Sequence, residues 1–217
     1  MGRILAYTTF ARGHLFPIVP VLDELRARGH SIALRTFSAQ IEPMRARGFD
    51  VAPIDPALEA IEHHDFKGGN PFDRLGRALS TFAKRAPHDR ADLERAIAQE
   101  GPDVLLVDVN AWGAAVAAES AGLPWAQWVP YLSPLPSRDA PPFGPGLAPV
   151  GGPLGRVRDR ALGAMIVRKF DSILREPLNR IRADAGLASL EHAVDATAAA
   201  PVQLYMTAEP FEYRRSD

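Results

Sequence analysis

The sequence predicts an α/β fold in which an open, mostly parallel β-sheet is covered by helices on both faces. Short apolar runs alternate along the chain with segments whose apolar residues recur at helical spacing, which is the pattern of strands and helices in such sheets. Several of the helical segments end at a glycine, the usual stop signal. The chain has 217 residues and no internal repeat, which suits a single domain of this kind.

The first three predicted strands lie within the first 54 residues. RILAYT, at 3–8, is a short apolar run typical of a buried parallel strand. A helix that ends at Gly29 follows, because apolar residues recur at helical spacing before it, namely Ile18, Val21, Leu22 and Leu25. The second and third strands are predicted at 31–37 and 49–54, with a short helix between them that ends at Gly48.

The middle of the chain is predicted to be largely helical. Residues 55–71 have no clear period and contain a Gly-Gly-Asn-Pro turn signal, so they form a loop with some helix. A helix follows, because apolar residues again step by helical intervals: Phe72, Leu75, Leu79, Phe82 and Ala86. A second, separate helix is predicted with Pro87 near its start and Gly101 at its end.

Two further strands are predicted at 103–108 and 123–130, separated by a helix that closes at Gly122. The segment 130–155 is dominated by proline and glycine and cannot form a regular element. A loop of this length inside a compact domain is either functional or disordered.

The last predicted elements are a long helix, bent at Pro177, and a strand at 202–207. Right-handed crossovers place the first three strands on one side of the sheet and return the chain to give the order 3-2-1-4-5. Ligands of such sheets bind where the strand order reverses, at the carboxyl ends of strands 1 and 4.

Composition excludes several classes of function. Lys plus Arg total 25 and Asp plus Glu total 26, which argues against a nucleic-acid partner, because such partners need a basic face. No apolar run has the length of about 20 residues that a membrane span needs, and the amino terminus does not read as a secretion signal. The absence of cysteine excludes disulfides, thiol nucleophiles and thiolate metal sites. We therefore expect a cytoplasmic protein.

Two residues are predicted to meet where the strand order reverses. His14 lies in the loop after strand 1, and Asp108 is the last residue of strand 4. Neighbouring strands are about 4.8 Å apart, so these side chains are within reach of each other. A carboxylate that accepts from one imidazole nitrogen fixes the tautomer and leaves the other nitrogen free as a base. Each residue could instead cap the helix after its strand, but their joint placement favours the catalytic interpretation.

Other motifs carry less weight. The first loop has one glycine where a dinucleotide-binding loop has three, and no acidic residue follows strand 2, which disfavours a nicotinamide-dependent oxidoreductase. His63, His64 and Asp65 are adjacent in sequence and would diverge in any regular element, so no metal site is predicted. Aromatic residues near the same edge of the sheet suit a flat, apolar ligand, each with a structural role as the alternative: Phe10, Phe16, Trp112, Tyr131 and Phe143.

The motif GHLFPIVPVLDELRARGH, at 13–30, resembles the amino-terminal signature of GT-B-fold glycosyltransferases, and in particular of the bacterial enzymes that act on macrolides, enediynes, aromatic polyketides and flavonoids. PDVLLVD, followed by WGAAVAAESAGLP, is similar to the fourth strand and next helix of that family. APPFGPGLAP resembles its acceptor-side loop, and the similarity runs from residue 3 to residue 213. The resemblance implies a Rossmann-like sheet that forms one half of a GT-B fold.

The resemblance also implies a mechanism. His14 corresponds to the general base that deprotonates the acceptor hydroxyl, which attacks the anomeric carbon of a nucleotide sugar with inversion of configuration. Asp108 corresponds to the residue that holds this histidine and stabilises its charged form. Some members make carbon–glycosidic bonds with other base arrangements. No cofactor is implied, because the nucleotide sugar is a co-substrate.

Members of the family have two Rossmann-like domains. We expect residues 1–217 to be the amino-terminal, acceptor-binding domain, with the nucleotide-sugar-binding domain absent from this chain, and the isolated chain to be inactive. The expected partners are an aromatic or polyketide acceptor and a nucleotide sugar. The face that would meet the second domain could also pair with another copy in a homodimer. The alternative function is a non-catalytic small-molecule-binding or helper protein with the same half-fold.

Overall fold

The computed structural model describes residues 1–9 and 11–216, and these form a parallel sheet with helices on both faces, as predicted. All strand pairings are parallel, and the order is β3-β2-β1-β4-β5-β6. The strands are β1 (Arg3–Tyr7), β2 (Ser31–Thr36), β3 (Asp50–Pro53), β4 (Val104–Asp108), β5 (Trp125–Val129) and β6 (Val202–Tyr205). The α/β fold class and the predicted order of the first five strands are confirmed, and β6 extends the sheet beyond β5.

Within residues 1–9 and 11–216, seven α-helices connect and follow the strands. They are α1 (Arg12–Ala27), α2 (Ile41–Ala46), α3 (Pro56–Glu59), α4 (Pro71–Glu100), α5 (Trp112–Ser120), α6 (Gly152–Phe170) and α7 (Glu176–Asp184). Helix α1 begins earlier than the sequence pattern indicates, so His14 lies in its first turn and not in the preceding loop. None of the helices in the described ranges is long and apolar enough to cross a membrane.

Helix α4 corrects the prediction of two helices between residues 71 and 101. It is continuous over 30 residues, with the Asn70 side chain accepting a hydrogen bond from the Asp73 N–H at its start and Gly101 in the left-handed conformation at its end. Pro87 removes one backbone hydrogen bond inside this helix. Helix α5 packs closely against the same stretch: a Cβ on Gly113 would lie 1.7 Å from the Ala86 carbonyl oxygen. This packing lies next to Pro87, where the backbone of α4 has lost one of its own hydrogen bonds.

The loop predictions hold with small shifts. Residues 130–151 contain no helix or strand, and α6 begins at Gly152, inside the segment predicted to be irregular. A π-helical turn at Asp171–Arg175 separates α6 from α7, and Pro177 lies in the first turn of α7, close to the predicted bend. The loop between β3 and α4 contains α3 and a short 3₁₀ turn, Asp65–Lys67.

The hydrophobic core has two parts. The larger surrounds the sheet and includes buried side chains of β1, β2, β4 and β5 together with α1 and α5. The smaller lies among α4, α5, α7 and the turn before α7, and its buried members are Leu79, Ala86, Trp112, Leu174, Leu178, Ala193 and Ala196. The carboxyl ends of β1 and β4 lie side by side within the larger part, since Tyr7 pairs with Val107.

Candidate active site

His14 and Asp108 meet where the strand order reverses. The Nδ1 atom of His14 lies 2.8 Å from Oδ1 of Asp108. The Asp108 side chain is fully buried, and that of His14 is 14% exposed. The sheet positions both residues, because β4 ends at Asp108 and the first turn of α1 follows β1 on the neighbouring strand. The predicted juxtaposition of the two side chains is therefore present.

Backbone N–H groups hold the Asp108 carboxylate in place. Thr9 donates to Oδ2 at 3.2 Å, and Asn110 donates to Oδ1 at 2.9 Å. These bonds satisfy a buried carboxylate that would otherwise be costly to desolvate. Neither member of the pair caps a helix: the residues that precede α1 and α5 are Ala11 and Ala111, and neither helix start receives a side-chain cap. The alternative interpretation of His14 and Asp108 as helix caps is therefore wrong.

The other ring nitrogen of His14 faces Asn110, a residue that the sequence analysis missed. The Nδ2 atom of Asn110 lies 3.2 Å from His14 Nε2, and its Oδ1 accepts a hydrogen bond of 3.0 Å from the Tyr131 hydroxyl. An amide N–H can only donate, so this arrangement requires Nε2 to be the acceptor and places the ring proton on Nδ1, facing Asp108. The backbone of His14 is also held, since Trp128 Nε1 donates to its carbonyl at 3.2 Å.

Aromatic side chains connect His14 to a cavity. The Tyr131 ring is edge-on to His14 at 5.8 Å between centroids, and Phe143 stacks on Tyr131 at 5.2 Å. Phe143 lines a cavity of about 750 Å³ between the start of α4, the segment around 134–145 and α6. Phe72 and Phe170 line the same cavity. Its volume and largely apolar wall suit a small organic molecule.

The remaining predicted aromatic residues are not brought together at the cavity. Trp112 is buried in the smaller core, where its ring contacts Phe82 and Phe170 at centroid distances of 6.3 and 6.1 Å. Phe16 is 48% exposed on α1 and does not line the cavity. Phe10 lies outside the described residues. All residues of α5 from 112 to 118 are buried, so Trp112 belongs to the core rather than to the edge of the cavity.

A buried group of charged residues lies on the same side of the sheet as the pair. The Tyr7 hydroxyl donates to Asp92 at 3.0 Å and to Asp89 at 3.3 Å, and Arg85 lies 3.5 Å from Asp89. Burial raises the pKa of Asp89 to about 7, with Asp108 and Asp92 adding to the effect and Arg85 opposing it. No sequence pattern predicts this group, because its positions in α4 resemble the polar face of a surface helix.

The loop that carries His63 also reaches this region. The His63 ring is edge-on to Phe82 at 5.9 Å. Burial lowers the pKa of His63, and positive charge on Arg85 and on His14 acts in the same direction, while Asp65 opposes it. Within residues 1–9 and 11–216, no group of three or more His, Asp or Glu side chains is arranged to hold a metal ion.

Comparisons with known proteins relate the chain to natural-product glycosyltransferases. No protein-family model matches it. It is 29% identical over 229 residues to 4'-demethylrebeccamycin synthase of Lentzea aerocolonigenes, an alignment that covers 100% of this chain and 53% of that protein. It is 26% identical over 133 residues to L-demethylnoviosyl transferase of Streptomyces niveus, covering 58% of this chain and 34% of that protein.

The fold is also shared with solved glycosyltransferase structures. The structure of the glycosyltransferase VinC in complex with dTDP matches with a TM-score of 0.60 and 16% sequence identity, over 99% of this chain and 51% of that one. The Rossmann-like half of a GT-B fold and the resemblance to antibiotic glycosyltransferases are therefore confirmed. The chain thus spans about half (53%) of the length of 4'-demethylrebeccamycin synthase. Its alignment covers 34% of L-demethylnoviosyl transferase.

Proposed function

We propose that this chain is the acceptor-binding half of an inverting glycosyltransferase that moves a hexose from a nucleotide sugar to a hydroxyl group of a natural product. The acceptor class is aromatic or polyketide-like, including enediyne, macrolide and flavonoid scaffolds. The observation that carries the proposal is the 2.8 Å contact between His14 Nδ1 and Asp108 Oδ1 where the strand order reverses. The comparisons support sugar transfer in general.

In the proposed reaction, Nε2 of His14 takes the proton of the acceptor hydroxyl as its oxygen attacks the anomeric carbon. The bond from that carbon to the nucleoside diphosphate breaks, and its electron pair leaves with the diphosphate. A direct attack on the side opposite the leaving group inverts the configuration. Asp108 accepts a hydrogen bond from Nδ1 and stabilises the imidazolium that forms.

The acceptor would lie in the cavity of about 750 Å³ that Phe143 lines, with its hydroxyl extending past Tyr131 toward His14, since neither Tyr131 nor His14 lines the cavity itself. A flat apolar ligand gains from burial against such aromatic rings. The nucleotide sugar would act as a co-substrate, bound mainly by a donor-binding half of the kind that the longer relatives contain. We also propose that the face that would meet the second domain pairs with a second copy of this chain in a homodimer. Measuring the molecular mass in solution tests this.

The experiment joins this chain to the donor-binding half of 4'-demethylrebeccamycin synthase and measures sugar transfer from dTDP- and UDP-hexoses to planar polyphenols. We expect transfer by the fusion and none by the 217-residue chain alone. The substitution His14→Ala should lower transfer by about 10²- to 10⁴-fold, because it removes the general base. His88→Ala, at an exposed position of α4, is the matched control and should leave the rate near that of the parent.

An unchanged rate in His14→Ala would overturn the base assignment. Transfer by the chain alone would overturn its assignment as an acceptor-binding half. Ligand binding without transfer in the fusion would favour the helper-protein alternative.

A further inference from the structure

Asn110 forms a bridge between the proposed base and a buried phenol. Its side-chain nitrogen lies 3.2 Å from His14 Nε2, and its side-chain oxygen accepts from the Tyr131 hydroxyl at 3.0 Å. The residue occupies the turn between β4 and α5, two positions after Asp108. The Asn110 amide therefore contacts the ring nitrogen of His14 that Asp108 does not.

When it is unprotonated, Nε2 of His14 has one lone pair in the plane of the ring. An acceptor hydroxyl must donate its hydrogen bond to that lone pair before its proton can be transferred. In this structure the Asn110 amide donates to the same atom. The amide and an acceptor hydroxyl therefore compete for a single position on His14.

We propose that Asn110 is a positioning residue that takes the place of the acceptor hydroxyl on His14 Nε2 and is displaced when the acceptor binds. This inference rests on the function proposed above. While Asn110 donates, Nε2 stays unprotonated and the ring proton stays on Nδ1, where Asp108 accepts it. The base is thus held in the tautomer that the reaction needs.

Tyr131 fixes the orientation of the Asn110 amide. Burial raises the pKa of the Tyr131 phenol well above its usual range, and the nearby Asp108 carboxylate adds to this effect, so the phenol remains a donor. In this structure the phenol donates to the Asn110 oxygen, which leaves the amide nitrogen facing His14. The Tyr131 ring also stacks on Phe143, which lines the cavity, so a ligand in the cavity would contact Phe143 and through it the ring that holds Asn110.

Side-chain substitutions can isolate this contact. The bond from Asn110 to Asp108 uses the backbone N–H, which every non-proline residue retains. Asn110→Leu keeps the approximate size of the side chain and removes its donor. Tyr131→Phe keeps the ring against His14 and removes the hydroxyl. Asn179→Ala, in α7, is the control, because among the contacts of the described residues the Asn179 amide bonds only to the backbone of Leu190.

The first measurement uses the 217-residue chain labelled with ¹⁵N-histidine, with His14→Gln to assign the signals of His14 among the six histidines. We expect an unprotonated Nε2 that accepts a hydrogen bond in the parent chain. Its resonance should move toward that of a free acceptor nitrogen in Asn110→Leu, move partly in Tyr131→Phe, and stay in Asn179→Ala. A protonated Nε2 in the parent, or no movement in Asn110→Leu, would overturn the inference.

The second measurement follows carbethoxylation of His14 by diethyl pyrocarbonate, which uses the lone pair of an unprotonated ring nitrogen. Mass spectrometry of the modified peptide should show a rate about two- to tenfold higher in Asn110→Leu than in the parent, since one partly buried hydrogen bond no longer covers the nitrogen. Equal rates would contradict the proposal. Both measurements are independent of sugar transfer. They can therefore contradict this inference while His14→Ala still abolishes activity, and they can support it while His14→Ala leaves activity unchanged.

The third measurement is the acceptor KM of the fused transferase. Asn110→Leu should lower this KM by about two- to tenfold, because the acceptor no longer displaces the amide. An unchanged KM would contradict the inference. A higher KM would mean that Asn110 binds the acceptor directly, which would also overturn it.

Discussion

The Oδ1 atom of Asp108 lies 2.8 Å from Nδ1 of His14, although 94 positions of the chain separate the two residues. The parallel pairing of β1 with β4 produces this contact, since each residue follows or ends one of the paired strands. The carboxylate is held on its remaining sides by the N–H groups of Thr9 and Asn110. The imidazole is therefore oriented by groups that belong to the sheet and its first turns.

Replacing the carboxylate should remove this orientation. The two oxygens of the Asp108 carboxylate accept hydrogen bonds from the N–H groups of Thr9 and Asn110 and from His14. In Asp108→Asn one of these oxygens becomes an amide nitrogen, which cannot accept and must face one of these donors. We expect transfer by the fused enzyme to fall by about 10²- to 10⁴-fold, measured as kcat. A thermal melt of each protein separates this loss from unfolding. Activity within about twofold of the parent would contradict the role given to Asp108.

The buried Asp89 should make stability depend on pH. Its pKa is raised to about 7 in the folded chain, whereas the pKa of an aspartate in an unfolded chain is about 3.9. Between these values the folded state holds a proton that the unfolded state has lost. The free energy of unfolding should therefore fall as pH rises from about 4 to about 7, by up to about 1.4 kcal/mol per pH unit, and level off above that range.

Urea unfolding of Asp89→Asn at several pH values checks this expectation. The amide cannot ionise, so the variant should lose most of the slope across the window. Asp184→Asn, at an exposed position at the end of α7, should keep the parent slope. A parent chain whose stability changes with pH in the same way as that of Asp89→Asn would contradict the assignment.

Adding a side-chain carbon where α5 contacts α4 should destabilise the fold. Gly113→Ala places a Cβ 1.7 Å from the Ala86 carbonyl oxygen, so the helices must separate. We expect a loss of about 1–3 kcal/mol in the free energy of unfolding, measured in urea. Gly69→Ala is the matched control, because a Cβ there meets nothing within 4 Å. Equal stability of Gly113→Ala and the parent would show that the helices are less closely packed than described.

Phe143 should contribute to acceptor binding. Its ring lines the cavity and stacks on Tyr131, and aromatic pairs of this kind contribute about 0.5–1.5 kcal/mol beyond their buried area. Phe143→Ala should therefore raise the acceptor KM of the fused enzyme by about two- to tenfold. Phe211→Ala, at a position that is 81% exposed, should not. An unchanged KM in Phe143→Ala would place the acceptor elsewhere.

The strand order and the meeting of His14 with Asp108 could be predicted from the sequence because both depend on periodicity and on the handedness of crossovers. These are properties of the backbone, and they hold for any sequence with this pattern. The position of Pro87 could not be interpreted in the same way. Whether a proline ends a helix depends on the packing around it, here the approach of Gly113 to Ala86.

Asn110 and Asp89 show a different limit. An asparagine after a strand and an aspartate on a charged helix are both common at exposed positions, and their sequence neighbours do not distinguish the buried cases. Their roles arise from contacts with Tyr131 and Tyr7, which are distant in sequence. The burial of Trp112 likewise follows from the orientation of α5 against the smaller core.

The irregular segment 130–151 carries Tyr131 and Phe143, whereas Asp108 and His14 belong to regular elements. Loop residues can be exchanged, inserted or deleted at little cost to the sheet. A lineage of such proteins that altered this one stretch of chain would change the surroundings of the proposed acceptor site, while the pair proposed to take the proton would be inherited unchanged.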